Sequence, residues 1–326
     1  MRYFLGADLG STKTHMVIAD ENGRILAFSK SGAGNYQSVG FDGMSRSLQD
    51  GLAQVVAQSQ LPLSAVAGAG FGIAGYDWPS EEQQMAGIIA QLGLTCPVGM
   101  VNDAMAGLFA GAEASRGVAL VSGTGCNCRG WDPETRREGR VTGYGYHMGE
   151  FAGAAELVWR AMQLVTFEWT RRGPHTQLSQ VFIDAVGAKD LADLIEGYTK
   201  GYYNVGAYLA PRIFDAARQG DAIARDLIRW AGLELAEMAK AVIRQLDFED
   251  SDFDVVLAGS MFDGGPLLIE PMWETIQAFA PHARLVHLDA PPVVGAVVLG
   301  MAQVGLVATP EIRRELTATL IQALAV

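Results

Sequence analysis

Short apolar runs alternate with amphipathic stretches along the first part of the chain, a pattern typical of an α/β protein. Apolar runs that end in glycine or polar turns predict strands at residues 3–8, 15–20, 25–30, 65–74 and 97–102. Apolar residues at helical spacing predict helices at about residues 43–60, 81–92 and 104–112.

The same pattern restarts in the second part of the chain. It predicts strands at residues 118–122, 126–131 and 254–258, and helices at about 149–186 (with breaks), 191–195, 202–218 and 221–245. We expect helices to complete the chain. The segment "APPVVGAVVLGMAQVGLVATP" carries no charge, but it starts with two prolines after its alanine and is interrupted by glycines. It therefore predicts a buried core helix rather than a membrane span.

Two similar turns suggest that the fold is duplicated. "DLGSTKT" (residues 8–14) and "SGTGCNC" (residues 122–128) each follow a buried strand and precede another. At 326 residues the chain is long for one core. We expect an N-terminal domain at residues 1–114, a C-terminal domain at 115–326 and a cleft between them. The last helix is a candidate to pack back on the first domain.

The overall charge restricts the class of partner. The chain has 36 acidic and 24 basic residues, a formal net charge of −12, which argues against nucleic acids and anionic membranes. An anionic ligand would then have to be held locally, by backbone N–H groups or a metal. Three cysteines do not form a disulfide framework, and the N-terminus has no signal pattern, so we expect a cytoplasmic protein.

The turn "DLGSTKT" has the composition of a phosphate-binding loop. Glycine lets the backbone approach phosphate oxygens, and serine and threonine hydroxyls add donors. Asp8, at the end of its strand, could hold Mg²⁺ through water. The alternative is a tight hairpin with Lys13 in solvent. The Walker pattern is absent from the sequence, so a nucleotide site here would be of another type.

The segment "CPVGMVNDAMAG" places Asp103 where a strand gives way to a helix. One interpretation is that Asn102 or Asp103 caps the helix. The other is that Asp103 is a general base in the cleft, accepting a proton from a hydroxyl nucleophile. The sequence alone leaves both open.

Cys126 and Cys128 are two residues apart on a predicted strand and so point to the same face. A zinc site needs four ligands, and the chain has no second cysteine pair at suitable spacing. We therefore expect buried thiols on either side of an outward Asn127, which leaves the Gly-Thr-Gly turn before them free to bind phosphate.

These segments carry a resemblance to a known family. "SGTGCNCRGWD" resembles the second phosphate motif of N-acetylglucosamine kinases, members of the sugar kinase/Hsp70/actin superfamily in the family that includes the BadF-type ATPases (BadF/BadG/BcrA/BcrD). "GADLGSTKTHMVIAD" resembles the first phosphate motif, and "VVLAGSMFDGG" the adenosine motif. "SGAGNYQSVG" and "VNDAMAG" match segments with a sugar-contacting Asn35 and a catalytic Asp103. The ordered matches run from about residue 4 to 300.

The resemblance implies a two-domain actin-like ATPase (ribonuclease H-like) fold with duplicated mixed-sheet domains and a central cleft. It implies an ATP-dependent kinase acting on the 6-hydroxyl of N-acetylglucosamine or glucosamine, with Asp103 as base, Mg²⁺ positioned by Asp8, and a homodimeric assembly. The implied nucleotide contacts are Asp8, Gly10, Ser11, Thr12, Lys13, Gly123, Thr124, Gly125, Gly259 and Ser260. The implied sugar contacts are Asn35, Gly75, Asn102, Asp103, Asn127, Tyr144, Gly145 and Glu150.

One segment departs from the family pattern. Where the sugar kinases have a stretch like "GGWGHMMGDEGS", this chain has "TGYGYHMGEFAG". Tyr144 replaces tryptophan, Glu150 replaces aspartate, and Phe151 removes a second carboxylate. Glu150 is either a sugar ligand or an acid in the first turn of a helix that begins at Phe151. The identity of the sugar stays open.

Two other functions are compatible with this fold. One is an ATPase activator or subunit of a CoA-ester dehydratase or reductase of the same family, although the sequence has no evident iron–sulfur signature. The other is a sugar-responsive repressor, which would need a DNA-binding extension before the first predicted strand at Tyr3.

Overall fold

Two five-stranded mixed sheets form the framework of the protein. The computed structural model describes residues 1–324. The strands are β1 (Tyr3–Leu9), β2 (Thr14–Asp20), β3 (Ile25–Ser31), β4 (Val66–Ile73), β5 (Val98–Asn102), β6 (Gly117–Ser122), β7 (Cys126–Asp132), β8 (Arg137–Arg140), β9 (Phe253–Ala258) and β10 (Ala283–His287). The helices are α1 (Tyr36–Ser59), α2 (Glu82–Ala90), α3 (Asp103–Gly111), α4 (Ala154–Trp169), α5 (Leu178–Val186), α6 (Leu191–Thr199), α7 (Ala210–Arg218), α8 (Ala222–Leu246), α9 (Pro266–Phe279), α10 (Val293–Ala302) and α11 (Pro310–Leu324).

The two sheets have the same strand order, β3-β2-β1-β4-β5 in the first and β8-β7-β6-β9-β10 in the second. In each sheet the first three strands form an antiparallel meander, and the last two run parallel to the first. The predicted duplication is therefore confirmed at the level of strand topology. The turn that follows the first strand of each sheet is one of the two glycine-containing turns of the sequence.

Two helices lie between the sheets, and each belongs to the opposite half of the chain. Helix α10 packs against β1 and β4 of the first sheet, and α3 packs against β6, β7 and β9 of the second. Glycine makes the close approach possible, because a Cβ atom at Gly70 would lie 2.0 Å from the carbonyl oxygen of Ala296. Where the helices touch, a Cβ atom at Gly295 would lie 1.8 Å from the carbonyl oxygen of Ala106. The two halves are thus connected through a shared core.

Apolar side chains form three buried clusters that match these layers. One lies between the first sheet and α1 and α2, one joins the second sheet to helices α4–α9, and one surrounds α3 and α10 between the sheets. Helix α10 is buried along almost its whole length, which confirms the prediction of a core helix in the charge-free segment. Within residues 1–324, no helix combines the length and the apolar character that a membrane crossing needs.

Helix α11 packs against the first sheet rather than the second. The Thr319 hydroxyl accepts a hydrogen bond from the backbone N–H of Ile25 at 3.1 Å, and a Cβ atom at Gly23 would meet the carbonyl oxygen of Ile312. The predicted domain boundary at residues 114 and 115 falls in the loop between α3 and β6 and stays a prediction.

The structure corrects the sequence interpretation at two strands. The expectation that only helices follow β9 is wrong, because β10 pairs with β9 in parallel at the sheet edge. Strand β8 was not predicted, since "REGR" has no apolar pattern. Helix α1 also begins earlier than predicted, at Tyr36, and the chain is non-helical at Gly40 (φ 68°).

Candidate active site

Asp8 and Asp103 meet at the carboxyl edge of the first sheet. Ile73, the last residue of β4, pairs with Asn102, the last residue of β5. Asp8 pairs with Gly72, and a Cβ atom at Gly72 would come within 3.8 Å of the Cα atom of Asp103. Because directly paired residues of neighbouring strands project to the same face, the Asp8 side chain points toward the start of α3.

Both carboxyl groups have raised pKa values. Burial and, to a smaller extent, the negative charge of Asp103 together raise the pKa of Asp8 to about 7, although the positive charge of Lys13 offsets part of the effect. Burial also raises the pKa of Asp103 to about 6, against a hydrogen bond from the Ala104 backbone. Two neighbouring carboxyl groups that both resist ionisation form a site where a bound cation would relieve repulsion.

The structure assigns the capping of α3 to Asn102 rather than to Asp103. Asn102 is the N-cap of α3, and its Oδ1 atom accepts a hydrogen bond from the Ala104 backbone N–H at 3.0 Å. Asp103 is the first residue of the helix, with Oδ1 at 3.0 Å from the same N–H. Because Asn102 supplies the cap, the Asp103 carboxylate is not required for that purpose.

The first glycine turn connects β1 to β2 and carries three exposed residues, Ser11, Thr12 and Lys13. The Gly10 N–H donates to the Lys13 carbonyl at 2.9 Å and closes the turn. Asn35 supports the turn from behind, because its backbone N–H donates to the Gly10 carbonyl and its Nδ2 atom to the Ser11 hydroxyl at 3.2 Å.

Asn35 is also the N-cap of α1, since its Oδ1 atom accepts from the Gln37 backbone N–H at 2.9 Å. A Cβ atom at Gly75 would lie 2.7 Å from that Oδ1 atom, and Gly75 has φ +84°. Glycine is therefore favoured at this position by both its conformation and its contact. The structure thus brings these two predicted sugar-contacting residues together beside the first turn.

The second glycine turn connects β6 to β7 and faces open space. The Gly123 N–H donates to the Gly125 carbonyl at 2.9 Å, and a Cβ atom at either glycine would meet no atom within 4 Å. The first amides of α4 hold the turn from below, where the Ala154 N–H donates to the Gly123 carbonyl and the Ala155 N–H to the Thr124 carbonyl, both at 2.9 Å. The turn is therefore fixed while its outer side stays open to a ligand.

Gly259 brings the end of β9 against this turn. Its φ of +110° is unfavourable for other residues, and a Cβ atom there would lie 2.3 Å from the Ser122 carbonyl oxygen. The close approach places Ser260 beside Gly123 at the rim of a cavity of about 570 Å³. This volume is within the range of small-molecule and cofactor sites.

The cavity also includes residues that the sequence did not indicate. Its lining joins Gly123, Thr124 and Ser260 to residues from α7 and the segment before it (Ala207, Tyr208, Ala210, Pro211, Phe214, Asp215 and Arg218), from the start of α4 (Ala154) and from the segment after β9 (Met261, Asp263 and Gly264). The first glycine turn does not line this cavity. Sequence reasoning could not find the α7 contribution, because α7 has only the pattern of an amphipathic helix.

Glu150 organises the loop before α4 and has no free acceptor position. Its Oε1 atom accepts from the backbone N–H and the hydroxyl of Thr142, both at 2.8 Å, and its Oε2 atom from the N–H groups of Tyr144 (2.9 Å) and Gly145 (3.3 Å). A carboxylate has about four acceptor positions. The alternative of a first-turn helix acid is wrong, because α4 begins at Ala154.

Tyr144 belongs to that loop, and Asn127 contacts it from β7. A Cβ atom at Gly143 would touch the Asn127 side-chain amide at 3.2 Å, and the Asn127 Oδ1 atom accepts from the Cys128 backbone N–H at 2.8 Å. The Tyr144 side chain is 59% exposed. The structure therefore gathers the predicted sugar contacts of the second half around one loop.

The two neighbouring cysteines are buried, as predicted, at 6% exposure for Cys126 and 0% for Cys128. Burial raises the pKa of the Cys126 thiol to about 12. Across residues 1–324, no group of three or more histidine, cysteine, aspartate or glutamate side chains is arranged to hold a metal ion. Buried thiols of this kind pack as small apolar groups.

Comparisons with known proteins agree with this architecture. The model of the BadF/BadG/BcrA/BcrD ATPase family matches residues 5–300. The chain is 26% identical over 312 residues to the N-acetyl-D-glucosamine kinase of Dictyostelium discoideum, covering 91% of this chain and 97% of that protein. It is 25% identical over 305 residues to the N-acetylmuramic acid/N-acetylglucosamine kinase of Clostridium acetobutylicum, covering 93% and 99%.

A crystal structure from Chromobacterium violaceum, provisionally named an N-acetylglucosamine kinase, has a TM-score of 0.65 and 26% identity, and the match covers 92% of this chain and 99% of that one. This similarity confirms the two-domain actin-like α/β fold.

Proposed function

The chain belongs to the BadF/BadG/BcrA/BcrD ATPase family, and we propose that it is an ATP-dependent kinase that phosphorylates an amino sugar. The proposed acceptor is the 6-hydroxyl of N-acetylglucosamine or glucosamine. The full-length similarity to curated N-acetylglucosamine kinases supports this assignment.

One arrangement carries the proposal: two fixed glycine turns, one from each sheet, together with two carboxyl groups at the edge of the first sheet. Phosphoryl transfer depends mainly on positioning and on stabilising the charge of the transferring group. Backbone N–H groups in rigid turns suit that task, because they do not have to reorganise during the reaction. In the segments 10–12 and 123–125, the backbone N–H groups of residues 11, 12, 124 and 125 would supply these donors, because those of Gly10 and Gly123 close their own turns.

Asp103 would accept the proton of the attacking hydroxyl. Its pKa of about 6 leaves the carboxylate ionised at neutral pH and able to take up a proton. Asn102 would hold the start of α3 in place, so that the carboxylate keeps its position.

The residues present fit ATP and Mg²⁺. The cavity beside Gly123, Thr124 and Ser260 has room for an adenosine, and the open side of the second turn admits phosphate oxygens. Mg²⁺ commonly keeps several waters and binds through one or two carboxylates plus phosphates. At this site Asp8 would be the carboxylate ligand, and water and the ATP phosphates would supply the other ligands. When bound, ATP would supply the phosphoryl group and Mg²⁺ would neutralise part of its charge.

The sugar would lie between Asn35 and Gly75 of the first half and the loop around Tyr144 of the second. Asn127 and Gly145 belong to the same proposed contact set, whereas Asn102, whose Nδ2 atom already donates to Tyr76 and Asp77, would act by holding the start of α3 beside the sugar. Because the four acceptor positions of Glu150 are occupied, we now propose that Glu150 acts by shaping this loop rather than by bonding the sugar directly.

We also propose that the protein is a cytoplasmic homodimer. The exposed aromatic and apolar side chains Tyr146, Met148 and Trp159 offer a surface suited to a subunit interface. Light scattering at several protein concentrations would test the dimer, and a mass equal to one chain throughout would contradict it.

Sugar-stimulated ADP release tests the central proposal. Purified protein with ATP and Mg²⁺ should release ADP in the presence of N-acetylglucosamine or glucosamine, and mass spectrometry should detect the sugar phosphate. A 6-deoxy analogue should compete for binding without being phosphorylated. ATP hydrolysis that no sugar stimulates would overturn the proposal and favour the ATPase-activator alternative.

A further inference from the structure

A buried ion pair joins the two halves of the molecule near Asp103. Arg129, on β7 of the second sheet, has a side chain that is 2% exposed. Its Nη2 atom lies 2.8 Å from Asp77 Oδ1 and its Nη1 atom 2.8 Å from Glu138 Oε1. Asp77 belongs to the first half, in the loop that follows β4. A buried charge is costly to desolvate even when it is paired, so this ion pair alone does not explain why an arginine occupies the site.

Asp77 links Arg129 to Asn102, the N-cap of α3. The same Oδ1 atom accepts a second hydrogen bond, from Asn102 Nδ2 at 3.1 Å. At its other end, the Asn102 side chain accepts the Ala104 N–H at 3.0 Å and caps α3. Its Nδ2 atom also donates to the Tyr76 carbonyl at 3.2 Å. The Asn102 side chain is therefore fixed at both ends, directly before Asp103.

The loop that carries Asp77 is held from several sides. The Arg140 guanidinium, from β8, donates to the Asp77 carbonyl and lies 4.8 Å from the centre of the Trp78 ring. The Glu81 carboxylate accepts from the backbone N–H groups of Asp77 and Trp78 at 2.8 and 2.9 Å. Arg129 and Arg140 of the second half thus both bind the Asp77 loop of the first half, and this loop contacts the N-cap of α3.

We propose that Arg129 is a positioning residue for the reaction: through Asp77 and Asn102 it fixes the start of α3, and so the carboxylate of Asp103. This inference rests on the proposed kinase function for its catalytic consequence. It makes the placement of the base depend on the second half of the molecule, because the anchoring guanidinium comes from β7.

This series of contacts, the Arg129–Asp77–Asn102 relay, predicts a specific kinetic signature for Arg129→Met. A small displacement of a catalytic group can cost on the order of a hundredfold in rate. We expect kcat to fall by about ten- to a hundredfold, with the KM values for sugar and ATP changed by less than about threefold. Arg129→Lys should recover only part of the loss, because an ammonium cannot bridge two carboxylates as the planar guanidinium does.

Arg137→Met is the matched control. Arg137 also makes an ion pair from the second sheet, with Asp247 at 2.6 Å, but its side chain is 48% exposed and lies on the edge strand β8. This variant should keep the wild-type kcat. A loss equal to that of Arg129→Met would overturn the proposal.

A double-mutant cycle separates the relay from a general effect on stability. If Arg129 acts through Asp77, the variant combining Arg129→Met with Asp77→Asn should lose about as much kcat as the worse single variant. Losses that multiply independently would contradict the relay, as would a raised KM with kcat unchanged.

Hydrogen exchange supplies a readout that needs no kinase activity. The first amides of α3, including that of Ala104, should exchange faster in Arg129→Met than in the wild type or in Arg137→Met. Unchanged exchange would overturn the relay. A wild-type protein that phosphorylates no sugar would refute the proposed function, and the exchange result would still decide whether Arg129 positions the helix.

Discussion

The Glu150 carboxylate accepts the backbone N–H of Tyr144 at 2.9 Å, so an acidic side chain fixes the residue that replaces the family tryptophan. The same carboxylate binds Thr142 and Gly145 and thereby closes the loop on itself. Charge-assisted hydrogen bonds of this kind are worth about 1.5–3 kcal/mol each, and lost acceptors leave buried donors unpaired. The loop around Tyr144 therefore depends on this one buried side chain.

Glu150→Ala should lower kcat/KM for the sugar on the order of ten- to a hundredfold and leave ATP affinity nearly unchanged. Glu150→Gln should be almost as damaging despite its similar shape, because its NH₂ group would face backbone donors instead of accepting from them. Steady-state kinetics with each substrate varied would measure both effects. Glu274→Gln, an exposed change on α9, is the control. A glutamine variant with wild-type kinetics would contradict the loop-organising role.

Asp103→Asn should abolish most phosphoryl transfer while retaining ATP and sugar binding. Loss of a general base costs about 10²- to 10⁴-fold in rate, and the helix should survive because Asn102 provides the cap.

In the wild type, kcat/KM should fall about tenfold per pH unit below about pH 6, since the base must be unprotonated and its pKa is raised to about 6. Rates from pH 5 to 8 and binding by calorimetry would measure this. Asp247→Asn, at an exposed ion pair, should leave the pH profile unchanged.

The elements with a clear apolar period were predictable, and those at sheet edges were not. Apolar runs bounded by glycine turns marked β1, β6 and β7 within a few residues. Strand β8 is short, charged and at an edge, so its sequence has no alternation to recognise. Strand β10 lies between helices, and only its pairing with β9 identifies it.

The site was predictable where a motif is local and not where it is assembled from distant segments. The glycine turns and Asp103 each belong to one short segment of sequence. The Arg129–Asp77 pair joins residues 52 positions apart, and α7 supplies part of the lining of the 570 Å³ cavity. Glu150 was found through family resemblance, but its role depends on four hydrogen bonds that only the folded loop defines.

Gly259→Ala should weaken ATP use more than sugar binding. The new methyl group would lie 2.3 Å from the Ser122 carbonyl oxygen, and φ at this position is +110°, so β9 must move away from the second turn. We expect a KM for ATP raised by on the order of tenfold, with a loss of stability of about 1–3 kcal/mol from backbone strain. Nucleotide titration and thermal unfolding would measure both. Gly220→Ala also has a positive φ but no atom near its Cβ position, so it controls for strain without the contact. Equal ATP affinity in the two variants would contradict the proposed role of Gly259.

Glu156→Gln should stabilise the protein at neutral pH, because Glu156 is a buried acid without full pairing. Its side chain is buried, and its Oε2 atom has no hydrogen-bond partner among residues 1–324. Burial raises the pKa of Glu156 above its ordinary value, hydrogen bonds from its own and the Gly153 backbone offset part of the effect, and the charge of Glu150 adds to it.

The sign of the pH dependence follows from linkage. Between the unfolded and the folded pKa of Glu156, the unfolded state has lost a proton that the folded state keeps, so wild-type stability falls as pH rises through this window. Each unit of pKa difference corresponds to about 1.36 kcal/mol. A glutamine has no proton to lose, so the Tm advantage of Glu156→Gln should be largest at pH 7–8 and should shrink toward pH 5. Thermal unfolding across this range would measure it, with Glu237→Gln as the exposed control, whose ion pair with Lys240 lies on the surface of α8. A Tm difference that stays constant with pH, or that grows on acidification, would show that Glu156 is stably ionised in the folded protein.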